Sequence, residues 1–164
     1  MKKHNNKGLS VVELIIVVAI ISIVVTVISV SLFRFIQRSR IEADVANANT
    51  IASAIQTALN ETEIKNECKA SMAGGFMIWA PPEQPFRVLS AAPGPGNGSL
   101  FVSTVNQYLG DKAPEIKYTK NGCESWVVAI GDTGVFVYAG DSSGVTLGTG
   151  QRMFPTPVGD YVTD

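Results

Sequence analysis

Lys7-Gly8-Leu9-Ser10-Val11-Val12-Glu13-Leu14 opens an apolar run, Leu9 to Ile36, whose only charges are Glu13 near its start and Arg34 near its end. An ionised carboxylate at membrane depth costs about 2.5–3.5 kcal/mol even on lenient insertion scales, so such a residue ordinarily has a partner and a function. Immediately upstream lies a short basic leader, Met1-Lys2-Lys3-His4-Asn5-Asn6-Lys7-Gly8. The string therefore reads as a processing site followed by a membrane helix that carries an acid. An ordinary secretory signal is cut at small residues after its apolar region, whereas here the candidate site precedes it. A cut after Gly8 leaves the apolar segment in the mature chain, where it is free to pack against copies of itself.

Leu14 to Phe33 supplies 20 uncharged residues, matching the ~20 that cross a hydrocarbon core as a helix. Many are Val and Ile, middling helix formers in water. In lipid the backbone must satisfy itself internally, and a helix does so. Ser22, Thr26, Ser29 and Ser31 can bond back to their own carbonyls, and neither proline nor glycine interrupts Leu9 to Ile64. After Arg34 the helix becomes amphipathic. Ile41, Val45, Ala48, Ala52, Ile55 and Leu59 recur in steps of four and three, a single stripe along one face. Arg38, Arg40, Glu42, Asp44, Asn47, Asn49, Gln56 and Asn60 occupy the other positions. One helix from Leu9 to Leu59 would be about 77 Å long, with its first half in lipid or a bundle and its second half on a sheet.

Charge divides the chain the same way. Met1–Ile36 carries four basic residues against one acidic, net +3, and the remainder nine basic against thirteen acidic, net −4. Basic residues before an apolar segment keep that end in the cytoplasm, which turns the rest outward. An acidic outer domain lacks the basic footprint of a general nucleic-acid binder. With 164 residues there is room for one domain plus an anchor, and the outer part is small enough to need the helix as part of its core.

Enzyme chemistry is poorly supported. His4 is the only histidine and lies in the leader, so triad arrangements are not available to the mature chain. The glycines of Pro93–Gly98 are not followed by the lysine of a phosphate loop. One histidine and two cysteines do not make a structural zinc site, and no cofactor is expected. Asp132, Asp141 and Asp160 stand beside glycines as turn formers. Trp79 and Trp126 are expected in the core. Asn60-Glu61-Thr62 and Asn97-Gly98-Ser99 match the glycosylation pattern, which is common by chance.

Residues 61–114 read mostly as loop, with Phe76–Trp79 and Phe86–Leu89 as short strands or buried loop. Pro81-Pro82, Pro85 and Pro93-Gly94-Pro95-Gly96-Asn97-Gly98 are turn material. Ser99 is placed to N-cap a short helix, Leu100–Leu109, closed by Gly110 and Pro114. Residues 115–164 read as an antiparallel sheet and a tail. A strand is expected at Glu115–Lys120. Ser125–Ile130 and Val135–Ala139 flank Gly131-Asp132-Thr133-Gly134 as a hairpin. A further turn at Gly140–Gly144 precedes Val145-Thr146-Leu147, and the segment from Gly148 to Asp164 has no assignment. The fold class is thus α+β: a long N-terminal helix packed on a C-terminal antiparallel sheet.

The leader, Gly8, the spacing to Glu13 and the long apolar run together resemble the type IV pilin and pseudopilin family. Leu9 stands where phenylalanine is usual, and Ser10 replaces the usual threonine. The resemblance implies residues 1–8 as a leader, 9–36 as the membrane or filament-core half of the helix, and 37–164 as a globular head with an amphipathic helix at 37–60. It implies cleavage after Gly8 by a prepilin peptidase, N-methylation of Leu9, and an assembly role for Glu13. Expected partners are other copies of the chain in a helical filament, an inner-membrane assembly platform with its ATPase, and membrane lipid before assembly. The precursor would be a single-pass inner-membrane protein with its head outward, and the product an extracellular pilus or a periplasmic pseudopilus. A pilus subunit serving adhesion or motility, a pseudopilin of a secretion or DNA-uptake machine, and a minor pilin all fit, and a membrane-anchored surface-binding protein that never polymerises is the rival of another class. Cys68 and Cys123, both in the outward part, are expected to form a disulfide, as oxidation is usual there and many pilins bound their C-terminal region with one. Such a bridge would contribute roughly 4 kcal/mol in the chain-entropy model.

Overall fold

The computed structural model describes residues 10–89, 94–145 and 151–162. The chain forms two compact units that divide between Arg38 and Ser39, and helix α1 (Val11–Asn60) contributes to both. In the first unit α1 is apolar on every side. Ser22, Thr26 and Ser29 each donate to the carbonyl four residues earlier, at 2.6–2.7 Å, so their hydroxyls add no unsatisfied group to that surface.

In the second unit α1 buries Ala48, Ile51, Ala52, Ile55 and Ala58, with Ile41, Val45 and Leu59 packed at the margins. This is the expected stripe, widened by Ile51 and Ala58. Small alanines at alternate turns let the helix lie close on a sheet, while Ile51 and Ile55 fill the space between. After Asn60 the chain leaves helical geometry for one residue, Glu61, and re-enters it as α2 (Thr62–Met72). This stretch is helical where the expectation from sequence is loop. Ile64, Cys68 and Met72, spaced by four, are the apolar face that gives it away, and the first two are fully buried.

The sheet is antiparallel, with order β2-β1-β3-β4-β5. Its strands are β1 (Phe76–Ala80), β2 (Arg87–Val88), β3 (Ser125–Gly131), β4 (Gly134–Gly140) and β5 (Arg152–Phe154). The expected hairpin is present, with Gly131 paired to Gly134 around the two-residue turn Asp132-Thr133. β1 is an inner strand paired along its whole length with β3, so residues 61–114 contribute to the sheet as well as to loops. Phe76, Ile78, Ala80, Trp126, Val128, Ile130, Val135, Val137 and Ala139 form the face that joins α1 in one core. Trp126 follows expectation and is buried. Trp79 does not: it lies half-buried on the opposite face.

Helix α3 (Leu100–Tyr108) closes one end of the core through Phe101, Val102 and Val105, with Phe101 edge-on to Phe76 at 5.6 Å between ring centroids. Ser99 caps it as expected, accepting the Val102 amide. Glu67 of α2 adds a second cap, one carboxylate oxygen taking the amide of Leu100 at 3.1 Å and the other that of Phe101 at 2.9 Å. A negative group at a helix N-terminus is favourable for both the donors and the dipole.

The strand expected at Glu115–Lys120 does not form. Asp44 explains why. The sequence reading put it on the polar face of α1, yet it is fully buried. Its two oxygens accept the backbone amides of Lys117 at 2.9 Å and Tyr118 at 2.7 Å. The amides a strand would give to a neighbour go to this carboxylate. Ile116 is buried beside them, and a 3-10 turn, Lys120–Gly122, leads on to β3. β5 comes from the tail left unassigned in sequence, while Thr146 and Leu147 lie outside the described residues.

On each edge strand one backbone group is taken within the chain. The outward amide of Val88 on β2 is taken by Asn97 Oδ1 at 2.5 Å. On β5 the carbonyl of Arg152 accepts the Val158 amide at 3.0 Å as the chain doubles back. Each such bond removes one position at which a foreign strand could pair.

Candidate functional site

Of the residues singled out in sequence, Gly8 and Leu9 lie outside the described residues, and Glu13 stands in the first turn of α1. Ser10 precedes the helix as its N-cap, its carbonyl accepting the Leu14 amide at 3.1 Å. Glu13, at the third helical position, reaches back so that its Oε2 accepts the Ser10 amide at 2.9 Å. Ser10-Val11-Val12-Glu13 is thus the acid arm of a capping box. The acid that looked costly in sequence has a local role as well: it satisfies an amide that a helix start leaves without an intrahelical acceptor. Among the described residues the other oxygen, Oε1, takes no hydrogen bond. One carboxylate thus holds its own helix start and, among the described residues, has a second acceptor uncommitted.

Beyond Glu13 the first unit offers apolar surface. From Val11 to Ile36 its large apolar side chains are 41–72 % exposed. The most apolar stretch of α1 is long enough to cross a membrane, and none of its residues is buried inside the molecule.

Cys68 and Cys123 are separate buried thiols, contrary to the disulfide expectation. Cys68 sits on α2, beside Leu59 and Met72. The Cys123 thiol donates to Gln151 Oε1 at 3.7 Å, close to Tyr161 and to Asp44. Burial pushes both thiols up, Cys68 to about 11 with Glu67 adding to the effect. Neither is therefore a ready thiolate for exchange at neutral pH.

The prokaryotic N-terminal methylation motif matches residues 3–29 of the chain. No curated protein matches the chain as a whole. No solved structure matches it either. The match covers the leader, the candidate cleavage position, the capping Glu13 and most of the exposed apolar helix, while the head stands on its own observed architecture. Over residues 3–29 the chain therefore carries the N-terminal methylation motif and class III leader characteristic of type IV pilins and pseudopilins, and behind them it has a pilin-like α+β fold.

Proposed function

We propose that the chain is a structural subunit of a type IV pilus filament. A prepilin peptidase cuts after Gly8 and methylates Leu9. An inner-membrane platform with its ATPase then draws the subunit out of lipid, and it polymerises through the first half of α1. What supports this is the apolar surface from Val11 to Ile36, exposed on all sides. Lipid satisfies that surface before assembly. On extraction, about 25 cal/mol for each Å² of it would work against exposure to water, and a bundle of identical helices replaces the lipid. Repetition of one such contact without closure yields a filament.

Cleavage also gives Glu13 a second partner. The new ammonium of Leu9 stands one residue before Ser10, whose amide Glu13 already holds. The spare Oε1 is available to that amine or to the amine of an adjacent subunit, and pairing lowers the cost of a buried charge.

Intact-mass measurement and N-terminal sequencing of sheared surface filaments test the proposal. The expected species begins at a methylated Leu9. A surface form that keeps Met1–Gly8, or that begins beyond Ile36, overturns it. Recovery of the chain only from cells, never from sheared filaments, overturns the pilus assignment in favour of a pseudopilin or an unpolymerised anchor.

A further inference from the structure

On the sheet face turned away from α1, the register aligns Arg87, Trp79, Val127, Tyr138 and Arg152 in one row across all five strands. At the β2 end, the Arg87 guanidinium lies 4.1 Å over the Trp79 ring. Stacked in this way it keeps its fork of N–H donors for an in-plane partner. Among the described residues no carboxylate forms an ion pair with it.

Its surroundings are rich in donors. Asn97 commits its Oδ1 to the Val88 amide, and among the described residues its NH2 has no acceptor. Ser143 donates its hydroxyl to Asp141 at 2.6 Å and so presents its own oxygen as an acceptor. Asp141 itself is turned into its own loop, accepting the amides of Ser143 and Val145. Gly144 braces the indole from a position where a Cβ would come within 2.7 Å of the ring. Among the described residues the buried indole N–H has no acceptor. Trp79, Arg87, Asn97 and Ser143, with Val88 and Leu89 as an apolar wall, line a hollow of about 290 Å³.

We propose that this hollow binds a carboxylate-bearing sugar. A single guanidinium, with no lysine in the lining, matches one planar negative charge, and a carboxylate meets it with two parallel hydrogen bonds. The Asn97 donors and the Ser143 acceptor suit hydroxyls, and the Val88–Leu89 wall suits the C–H face of a sugar ring. The volume lies at the lower end of small-molecule sites, room for one such unit. A peptide is disfavoured because the outward amide of β2, which strand addition would use, is already taken by Asn97.

The test uses the full chain in detergent with 15N-labelled indoles, titrated with D-galacturonic acid and, separately, D-galactose. Trp126 is the internal reference, because its indole N–H donates to the Pro114 carbonyl. The Trp79 indole signal is expected to shift saturably with galacturonic acid while that of Trp126 stays fixed, and galactose should bind at least about tenfold more weakly. Arg87→Gln should lose galacturonic acid binding by a similar factor. Arg87→Lys, which keeps the charge but not the fork, reads out the same loss if Arg87→Gln disturbs the fold. An unmoved Trp79 signal, an equal response to the neutral sugar, unchanged affinity in both variants, or tighter binding of a tripeptide with a free carboxylate would each overturn the assignment.

Discussion

The Asp44 carboxylate on α1 accepts the Tyr118 backbone amide at 2.7 Å, across 74 positions of sequence. With the Lys117 amide on its other oxygen, it ties the 115–119 segment to the helix. Asp44→Ala leaves both amides without this acceptor and should destabilise the head by about 1–3 kcal/mol. Asp44→Asn keeps one acceptor oxygen and should cost less. Chemical denaturation of the two variants gives the order, and equal or absent losses would show that the tie contributes nothing.

The same residue makes a pH prediction. Burial raises the Asp44 carboxyl above its ordinary 3.8, with the two amides pulling the other way. Between the folded value and 3.8 the folded state binds the proton more readily than the unfolded state. Its own contribution to stability therefore grows as pH falls through that window. Asp141 has the opposite sign: bonds from Ser143 and Val145 lower its pKa, so its contribution is present above 3.8 and is lost as pH falls through its folded value. The stability of wild type minus that of Asp44→Asn should rise as pH drops from neutral toward 3.8. A difference that shrinks instead would mean that the amide bonds outweigh burial.

At Glu13 the capping and charge roles can be separated. Glu13→Gln keeps an oxygen for the Ser10 amide and removes the charge, whereas Glu13→Ala removes both. If charge drives assembly, both variants should be processed and membrane-bound yet yield few or no sheared filaments. Normal filament yield from Glu13→Gln would reduce the residue to a helix cap.

Two buried thiols predict a particular labelling pattern. Native protein should resist alkylation, and denatured protein should take two equivalents with no reductant present. A non-reduced digest containing a Cys68–Cys123 cross-link would contradict the structure.

Gly144 has φ +83°, and a Cβ there would strike Trp79. Gly144→Ala meets both a backbone and a steric penalty. It should lower stability by about 1–3 kcal/mol and change Trp79 emission, whereas Gly98→Ala, where nothing lies within 4 Å, should do neither.

The parts legible in the sequence were those written as local period or local chemistry. The Ala48–Ile55 stripe, the Ser99 cap and the Gly131–Gly134 hairpin each need only neighbours along the chain. Asp44 was misread because its partners lie more than seventy positions away, and a charged residue in a polar stretch carries no mark of burial. The strand at Glu115–Lys120 failed for the same reason, since its alternation is that of a strand but its amides are spoken for. α2 was missed although Ile64, Cys68 and Met72 carried its signal, because lysines and glutamates between them diluted the stripe. In the candidate assembly site the acid was legible, but its hold on Ser10 required seeing where the helix begins.

The two edge bonds of the sheet bear on how copies would meet in the proposed filament. Subunits crowded together at an assembly site are at high local concentration, the condition under which open strands join indiscriminately. Here the Val88 amide and the Arg152 carbonyl are already spoken for within the chain. In the proposed filament, these two bonds would remove positions at which neighbouring heads could pair by backbone. In the proposed filament, joining would be left to the apolar half of α1, and the timing of growth would then rest with whatever takes that helix out of lipid.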